Sequence, residues 1–239
     1  MTQGNLYIVP TPIGNLEDIT LRAIRILKEV DVIASEDTRH TQNLLAHFEI
    51  SKVLTSYHDF NKEEKAPLLL NLLMEGRQIA LVSDAGTPTI SDPGYLLINE
   101  AIANGIKVIP LPGPSAFLAA LSGSGLPTDA FIFNGFLPKK KAARLRKMEV
   151  MKTERNTLIF YESPHRILTV LEEFNSIFGD RRVVIARELT KQFEEFIYST
   201  LSKIIQQKWR VKGEITLLIE GNRQVQKKSK HIVESMDEE

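Results

Sequence analysis

Hydrophobic and polar positions along this chain switch repeatedly between a strand-like and a helix-like period, and the switches mark its elements. Leu6–Val9 is a short apolar run of strand type, after which Leu21, Ile24, Leu27 and Val30 recur at helical spacing. Val32–Ala34 predicts a strand, Asn43–Phe48 a helix, Val53–Ser56 a strand, and Ala66–Glu75 a helix closed by Gly76. Ile79–Val82 reads as a buried strand, Tyr95–Asn104 as a helix ending at Gly105, and Val108–Ile109 as a strand. Ser115 then stands where an N-cap for Ala116–Ser122 belongs. The small, turn-rich stretch Ser122-Gly123-Ser124-Gly125-Leu126-Pro127-Thr128 reads as a linker, with a long surface loop as its alternative. Beyond it come a strand at Phe131–Phe133, a helix at Lys140–Met151, and a strand at Thr157–Tyr161. Ser163-Pro164 opens a helix running through Phe178, and Val183–Ala186, Glu195–Ser199 and Ile215–Ile219 are further strands. Phe131, Phe133 and Phe136 are expected to pack the core of the second half. Strands and helices alternating in both halves predict an α/β fold of two domains, 1–122 and 123–221, with 222–239 a polar, flexible tail.

Composition changes this picture little. At 43% hydrophobic and 25% charged residues, the 239-residue chain has the make-up of an ordinary globular protein. The absence of cysteine excludes disulfides and thiolate metal ligation, and the five histidines form no zinc motif, so no metal is expected. The amino terminus lacks the features of a secretory signal. The longest uncharged stretch, Val108 to Thr128, is broken by four prolines, so a cytoplasmic protein with no membrane partner is expected. Thirty basic residues balance thirty acidic ones, yet Lys139, Lys140, Lys141, Arg144, Arg146, Lys147 and Lys152 crowd one segment. That cluster is either a solvated helix face or a phosphate-binding face.

Candidate chemistry lies in the loops. Four strands run into proline- and glycine-rich turns: Pro10–Asn15, Ser83–Pro88, Pro110–Ser115 and Tyr161–Arg166. Open α/β sheets bind ligands at the carboxyl ends of their strands, so these loops are expected to line one crevice. No phosphate-binding P-loop and no G-x-S-x-G nucleophile elbow is present. Proline removes a backbone donor and leaves the carbonyl, which suits an electron-poor ligand such as a sulfonium methyl better than a pyrophosphate.

The segments Leu6–Leu16, Ser35-Glu36-Asp37-Thr38-Arg39-His40-Thr41, Ala80–Pro88, Ser91-Asp92-Pro93-Gly94, Pro110–Pro114, Leu158–Glu162, Ala186–Lys191 and Lys212-Gly213-Glu214 together closely resemble the ribosomal RNA small subunit methyltransferase I family. The resemblance spans about residues 5 to 221. It implies membership of the tetrapyrrole methylase superfamily, in which two α/β domains clasp folded S-adenosyl-L-methionine between them, and a homodimer. The activity implied is 2′-O-methylation of a cytidine ribose in the decoding region of 16S rRNA, on the free RNA or the small ribosomal subunit. By the same resemblance, Pro12, Gly14, Ala85, Gly86, Thr87, Pro88, Ile90, Ser115, Ala116 and Tyr161 fall in cofactor-lining loops, with Leu189 and Gly213 completing the set from the second domain. Relatives carry a further basic helical segment beyond the region of Gly221. This sequence stops soon after Lys227-Lys228-Ser229-Lys230, so the core chemistry is expected to be kept, with RNA affinity or substrate presentation affected.

An unactivated ribose hydroxyl needs a base or a stabiliser of developing charge. Asp84, Glu36 and Glu188 are the catalytic candidates, with Asp37, His40 and Lys191 beside them. Asp84 has an equally good alternative as a turn-holding hydrogen-bond acceptor. Arg39, His40 and Arg166, with Lys139, Lys140 and Lys141, are the candidates for gripping RNA; helix capping and surface pairing compete for Arg166. A porphyrin-type methyltransferase and a non-catalytic RNA-binding assembly protein are the competing functions. The PTPIGN and SEDTRHT stretches count against the former.

Overall fold

Two compact units divide the chain at Ala116/Phe117. The structure, a computed structural model, describes residues 2–207 and 212–223. The tail expected over 222–239 lies outside the described residues from 224 onward. Asn222 and Arg223 are held, by an N–H bond to the Glu154 carbonyl (2.6 Å) and an ion pair to Asp129 (2.7 Å).

The first unit is built on five parallel strands, β1 (Asn5–Ile8), β2 (Val32–Ser35), β3 (Val53–Ser56), β4 (Ile79–Val82) and β5 (Lys107–Pro110), in the order β3-β2-β4-β1-β5. Helices α1 (Leu21–Glu29) and α2 (Thr38–His47) bury Ala23, Ile26, Leu27 and Leu45 on one face. Helices α3 (Lys62–Met74) and α4 (Tyr95–Ala103) bury Leu69, Leu73, Leu97 and Ala101 on the other. A parallel sheet needs both faces covered, and the four-residue strands carry the apolar runs that this demands. The chain therefore leaves β1 and β2 toward one face and leaves β4, which lies between them, toward the other. Such a reversal opens a crevice at the carboxyl ends of these strands.

The second unit begins with α5 (Ala116–Gly123), of which all but Ala116 belongs to it. Its sheet is mixed, β6 (Phe131–Phe136), β7 (Thr157–Glu162), β8 (Arg182–Arg187), β9 (Glu195–Thr200) and β10 (Ile215–Ile219), in the order β6-β7-β10-β8-β9. Helices α6 (Lys141–Met151), α7 (Ile167–Phe178) and α8 (Leu201–Gln206) cover one face with Met148, Phe174 and Ile204. On the other, Phe117 stacks on Phe133 at 4.6 Å and the Tyr198 hydroxyl donates to the Gly123 carbonyl. These contacts carry α5 into the second unit, so the division falls six residues before the expected boundary at 122/123.

Several elements differ from their sequence patterns for local reasons. Helix α2 starts at Thr38 because Asp37 caps it, accepting the Arg39 N–H at 2.8 Å, so most of the polar SEDTRHT run is helix. Ser115 caps nothing: its hydroxyl has no hydrogen-bond partner. Ser163 makes a turn ahead of α7, accepting from the Arg166 and Ile167 N–H groups through its carbonyl, and the helix proper begins at Ile167. Strand β6 continues past Phe133 through a bulge.

Candidate functional site

In the first unit the loops leaving β1, β4 and β5 are fastened to one another. Thr11 and Gly86 exchange both backbone hydrogen bonds (2.9 and 3.0 Å), an antiparallel bridge across the crevice beside β4. The buried Thr11 hydroxyl donates to the Ser83 carbonyl at 3.0 Å, and the Thr87 hydroxyl to the Pro114 carbonyl at 2.9 Å. Gly86 stands at φ 87°, in the left-handed region, where a Cβ would also meet Ile13 at 3.2 Å. A Cβ on Gly113 would lie 2.6 Å from the Pro10 ring. Glycine is required here by geometry and not only by flexibility. The carbonyls that the proline content leaves available thus serve first to join the loops, each with a second lone pair remaining.

Pro12, Gly14, Ala85, Gly86, Thr87, Pro88, Ile90 and Ser115 all sit in this loop set, and Ala116 opens α5 behind it. The shielded, partnerless hydroxyl of Ser115 is a polar atom that a ligand bonded there would satisfy.

Three carboxylates share the same edge. The N–H of Asp37 donates to Asp84 at 2.9 Å, which ties the β2 loop to the β4 loop. Asp84 therefore holds a loop, though a different one from the Gly86 turn that the sequence suggested. Burial first, then the charges of Asp92, Asp84 and Asp59, push the Glu36 carboxyl up to about 7. Burial also pushes Asp92 up to about 6, with Asp84 adding to the rise and a Ser83 hydrogen bond opposing it. Asp92 was not a candidate from sequence. The backbone around it, with Thr89 at φ 75° and Ser91 at φ 69°, marks a strained turn that only coordinates reveal. Arg39 and His40 stand exposed on the first turn of α2, and Arg39 makes only a solvent-exposed pair with Asp37. Among the described residues, no group of three His, Asp or Glu side chains is placed to hold a metal ion.

In the second unit the edge at the ends of β6, β7 and β8 is fastened by charge. Glu188, at φ 49°, accepts the Glu214 N–H at 2.9 Å and the Lys191 ammonium at 3.2 Å. The Glu214 N–H bond, assisted by Lys191, holds its carboxyl below the usual range. A Cβ on Gly213, at φ 87°, would overlap the Glu188 side chain. Leu189 is buried in the same turn, and the Thr190 hydroxyl is buried without a hydrogen-bond partner. Tyr161, next to last in β7, lies beside Phe133 and Phe136. Arg166 pairs with the buried carboxylate of Glu162 (2.7 and 3.0 Å) and donates to the Leu137 carbonyl at 3.3 Å. These contacts brace the turn between β7 and α7. Lys139, Lys140 and Lys141 are exposed and enter no ion pair among the described residues. Arg144, from the same basic run, is instead buried against Glu173 at 2.6 and 2.8 Å.

Each unit thus presents an edge of irregular loops on a regular sheet, and the family model of the tetrapyrrole (corrin/porphyrin) methylases matches residues 5–205. Uroporphyrin-III C-methyl transferase from Thermus thermophilus, solved in complex with S-adenyl homocysteine, is similar at a TM-score of 0.63 and 21% identity, over 92% of this chain and 98% of that one. Sequence relatives narrow the class. Ribosomal RNA small subunit methyltransferase I of Halalkalibacterium halodurans is 54% identical over 92% of this chain and 77% of its own length. The protein of that name from Escherichia coli O157:H7 is 51% identical over 93% and 79%. The chain belongs to the ribosomal RNA small subunit methyltransferase I family, within the tetrapyrrole methylases.

Proposed function

We propose that this chain transfers the methyl group of S-adenosyl-L-methionine to the 2′-hydroxyl of a cytidine ribose in the decoding region of 16S rRNA. The observation that carries the reading is identity above one half, over more than nine-tenths of the chain, to proteins named for methylating small-subunit ribosomal RNA. Homology of this depth also argues against a porphyrin-type substrate.

The residues fit the methyl donor. Ser115 and Thr190 each present an unsatisfied hydroxyl within a segment that the family resemblance assigns to cofactor lining. The Thr11–Gly86 bridge holds the β1 and β4 loops in one geometry, so little ordering remains to oppose binding. When bound, the donor supplies a methyl on positively charged sulfur. The chain's own part is alignment of the ribose oxygen and removal of its proton. Glu36 is the group suited to that removal. A carboxyl raised to about 7 is a stronger base than an ordinary one and is about half ionised at neutrality. The proton passes from the 2′-oxygen to Glu36 as the oxygen–methyl bond forms and the sulfur–methyl bond breaks. Burial, with Asp92 and Asp84 beside it, keeps the Glu36 carboxyl raised. Glu188, held ionised by its partners, braces the second edge. Arg39, His40 and Lys139–Lys141 are the open cations for phosphate contacts, and a homodimer in the cytoplasm is the assembly proposed.

Incubation with labelled S-adenosylmethionine and small subunits lacking the modification tests this. Label is expected on a sugar, at a linkage made resistant to alkaline cleavage. Label on a base, or no transfer to RNA, would overturn the reading.

A further inference from the structure

Strand β6 carries an irregularity that the packing of the second unit does not need. Phe133 pairs with Ile159 and Phe136 with Tyr161, three steps on β6 against two on β7. One residue is therefore inserted, and Gly135 absorbs it at φ 60°. In a regular strand Phe136 would lie on the opposite face from Phe133, with Ile132, which packs against the core. The bulge turns it onto the face of Phe133 and Tyr161, 5.6 Å from the Tyr161 ring centroid.

Having been re-aimed, Phe136 is not buried: 59% of it stays exposed. The next residue, Leu137, fills the core at 2% exposure, so apolar burial is served without it. The expectation that Phe131, Phe133 and Phe136 pack the core therefore fails. They stand on the face away from α6 and α7, and Phe131 is 39% exposed as well. The rings beneath are firmly placed. Phe133 lies near-parallel on Phe117, at 4.6 Å and 25°, and edge-on to Tyr161 at 4.9 Å. Lys147 donates to the Asn134 carbonyl within the bulge at 3.2 Å and steadies it.

We propose that Phe136 is a stacking surface for an unpaired nucleobase of the RNA substrate, with Lys139, Lys140 and Lys141 neutralising the flanking phosphates. The inference rests on the reading of this chain as an RNA-modifying enzyme. An exposed ring on a rigid aromatic base, followed within five residues by three unpaired ammonium groups, has the two elements of single-strand recognition: a π-face for a base and positive charge for the backbone. A purely apolar partner would leave the lysines without counter-charges.

The test uses the full-length chain and its Phe136→Leu and Phe136→Tyr variants, with a short single-stranded oligoribonucleotide carrying 2-aminopurine as probe. Leucine keeps apolar bulk and loses the π-face; tyrosine keeps both. The wild type and Phe136→Tyr are expected to quench the probe on binding. Phe136→Leu is expected to bind about tenfold more weakly, with little quenching and unchanged affinity for S-adenosylmethionine. Replacing the three lysines with alanine should flatten the salt dependence of binding and leave quenching at saturation intact. Phe136→Leu that binds and quenches like wild type overturns the proposal. So does one that changes only the sedimentation coefficient, which would assign the ring to contact with a second copy of the chain. Methylation of small subunits by the wild type is read in parallel. If it succeeds while Phe136→Leu is indistinguishable from wild type, the stacking site alone is lost. If it fails while quenching persists, the functional reading falls and the RNA-stacking surface stands.

Discussion

The two sheet edges are assembled by opposite means. The first unit joins its loops with backbone bonds and neutral hydroxyls, Thr11 to Gly86 and Thr87 to Pro114, and leaves its carboxylates crowded together. The second neutralises each carboxylate with a cation or an N–H, Glu188 with Lys191 and Glu162 with Arg166. Burial, then crowding, raises the affinity of Glu36 for a proton, and the Glu214 N–H with Lys191 lowers that of Glu188. One edge is thus suited to moving protons and the other to holding shape.

The sharpest break in this contrast is at the buried pair of the second unit. Every ion pair of the first unit is partly or largely exposed, whereas Arg144 and Glu173 are 7% and 9% exposed. Glu173→Ala strands a buried guanidinium and is expected to lower stability by about 3–5 kcal/mol, read from the denaturant midpoint. Surface pairs such as Arg25–Glu29 should change it by less than about 1 kcal/mol.

Next in size is Gly86→Ala. A side chain at φ 87° costs about 1–2 kcal/mol before the contact with Ile13 is counted. The Thr11–Gly86 bridge should loosen and S-adenosylmethionine bind several-fold more weakly by calorimetry. Alanine tolerated with unchanged affinity would mean that the bridge does not shape the binding loops.

Glu36→Gln should change how stability responds to pH. Because the folded protein holds the Glu36 proton more tightly than the unfolded chain, this group makes stability fall as pH rises from the ordinary carboxylate range through about 7. The variant lacks that loss, so its melting temperature relative to wild type should improve between about pH 5 and about pH 8. A constant difference across that range would show that Glu36 titrates normally.

Smallest is Lys191→Met, which removes one of two braces on Glu188 while the Glu214 N–H remains. At this partly exposed site the stability change should stay within about 1 kcal/mol. A few-fold decrease in methyl transfer with no movement of its pH profile is expected, in contrast to any change at Glu36.

What the sequence revealed follows the same division. The apolar runs placed the first unit's strands to within a residue or two, because a parallel sheet covered on both faces leaves an unmistakable pattern. The strand-end loops were legible from glycine and proline for the reason that Gly86 and Gly113 illustrate, the lack of room for a Cβ. Charge was poorly legible. Nothing in the spacing of Arg144 and Glu173 distinguishes a buried pair from two surface residues, and the pairing that competes for Arg166 is with a buried carboxylate, Glu162, rather than at the surface. Asp92 and Glu36 owe their character first to burial and then to neighbouring carboxylates on loops distant in sequence. The bulge at Gly135 is not legible because the apolar alternation ends at Phe133, and the extra residue is defined only against the register of β7.

The most direct test of the account is the pH dependence of single-turnover methyl transfer to small subunits by wild type and Glu36→Gln. The wild-type rate should rise with pH, pass its midpoint near 7 and level off above about 8, as the carboxyl loses its proton. The variant should be slower by about a hundredfold or more, with that rise abolished. A Glu36→Gln enzyme that keeps the wild-type rate and profile would contradict the assignment of proton removal to this edge of the first unit.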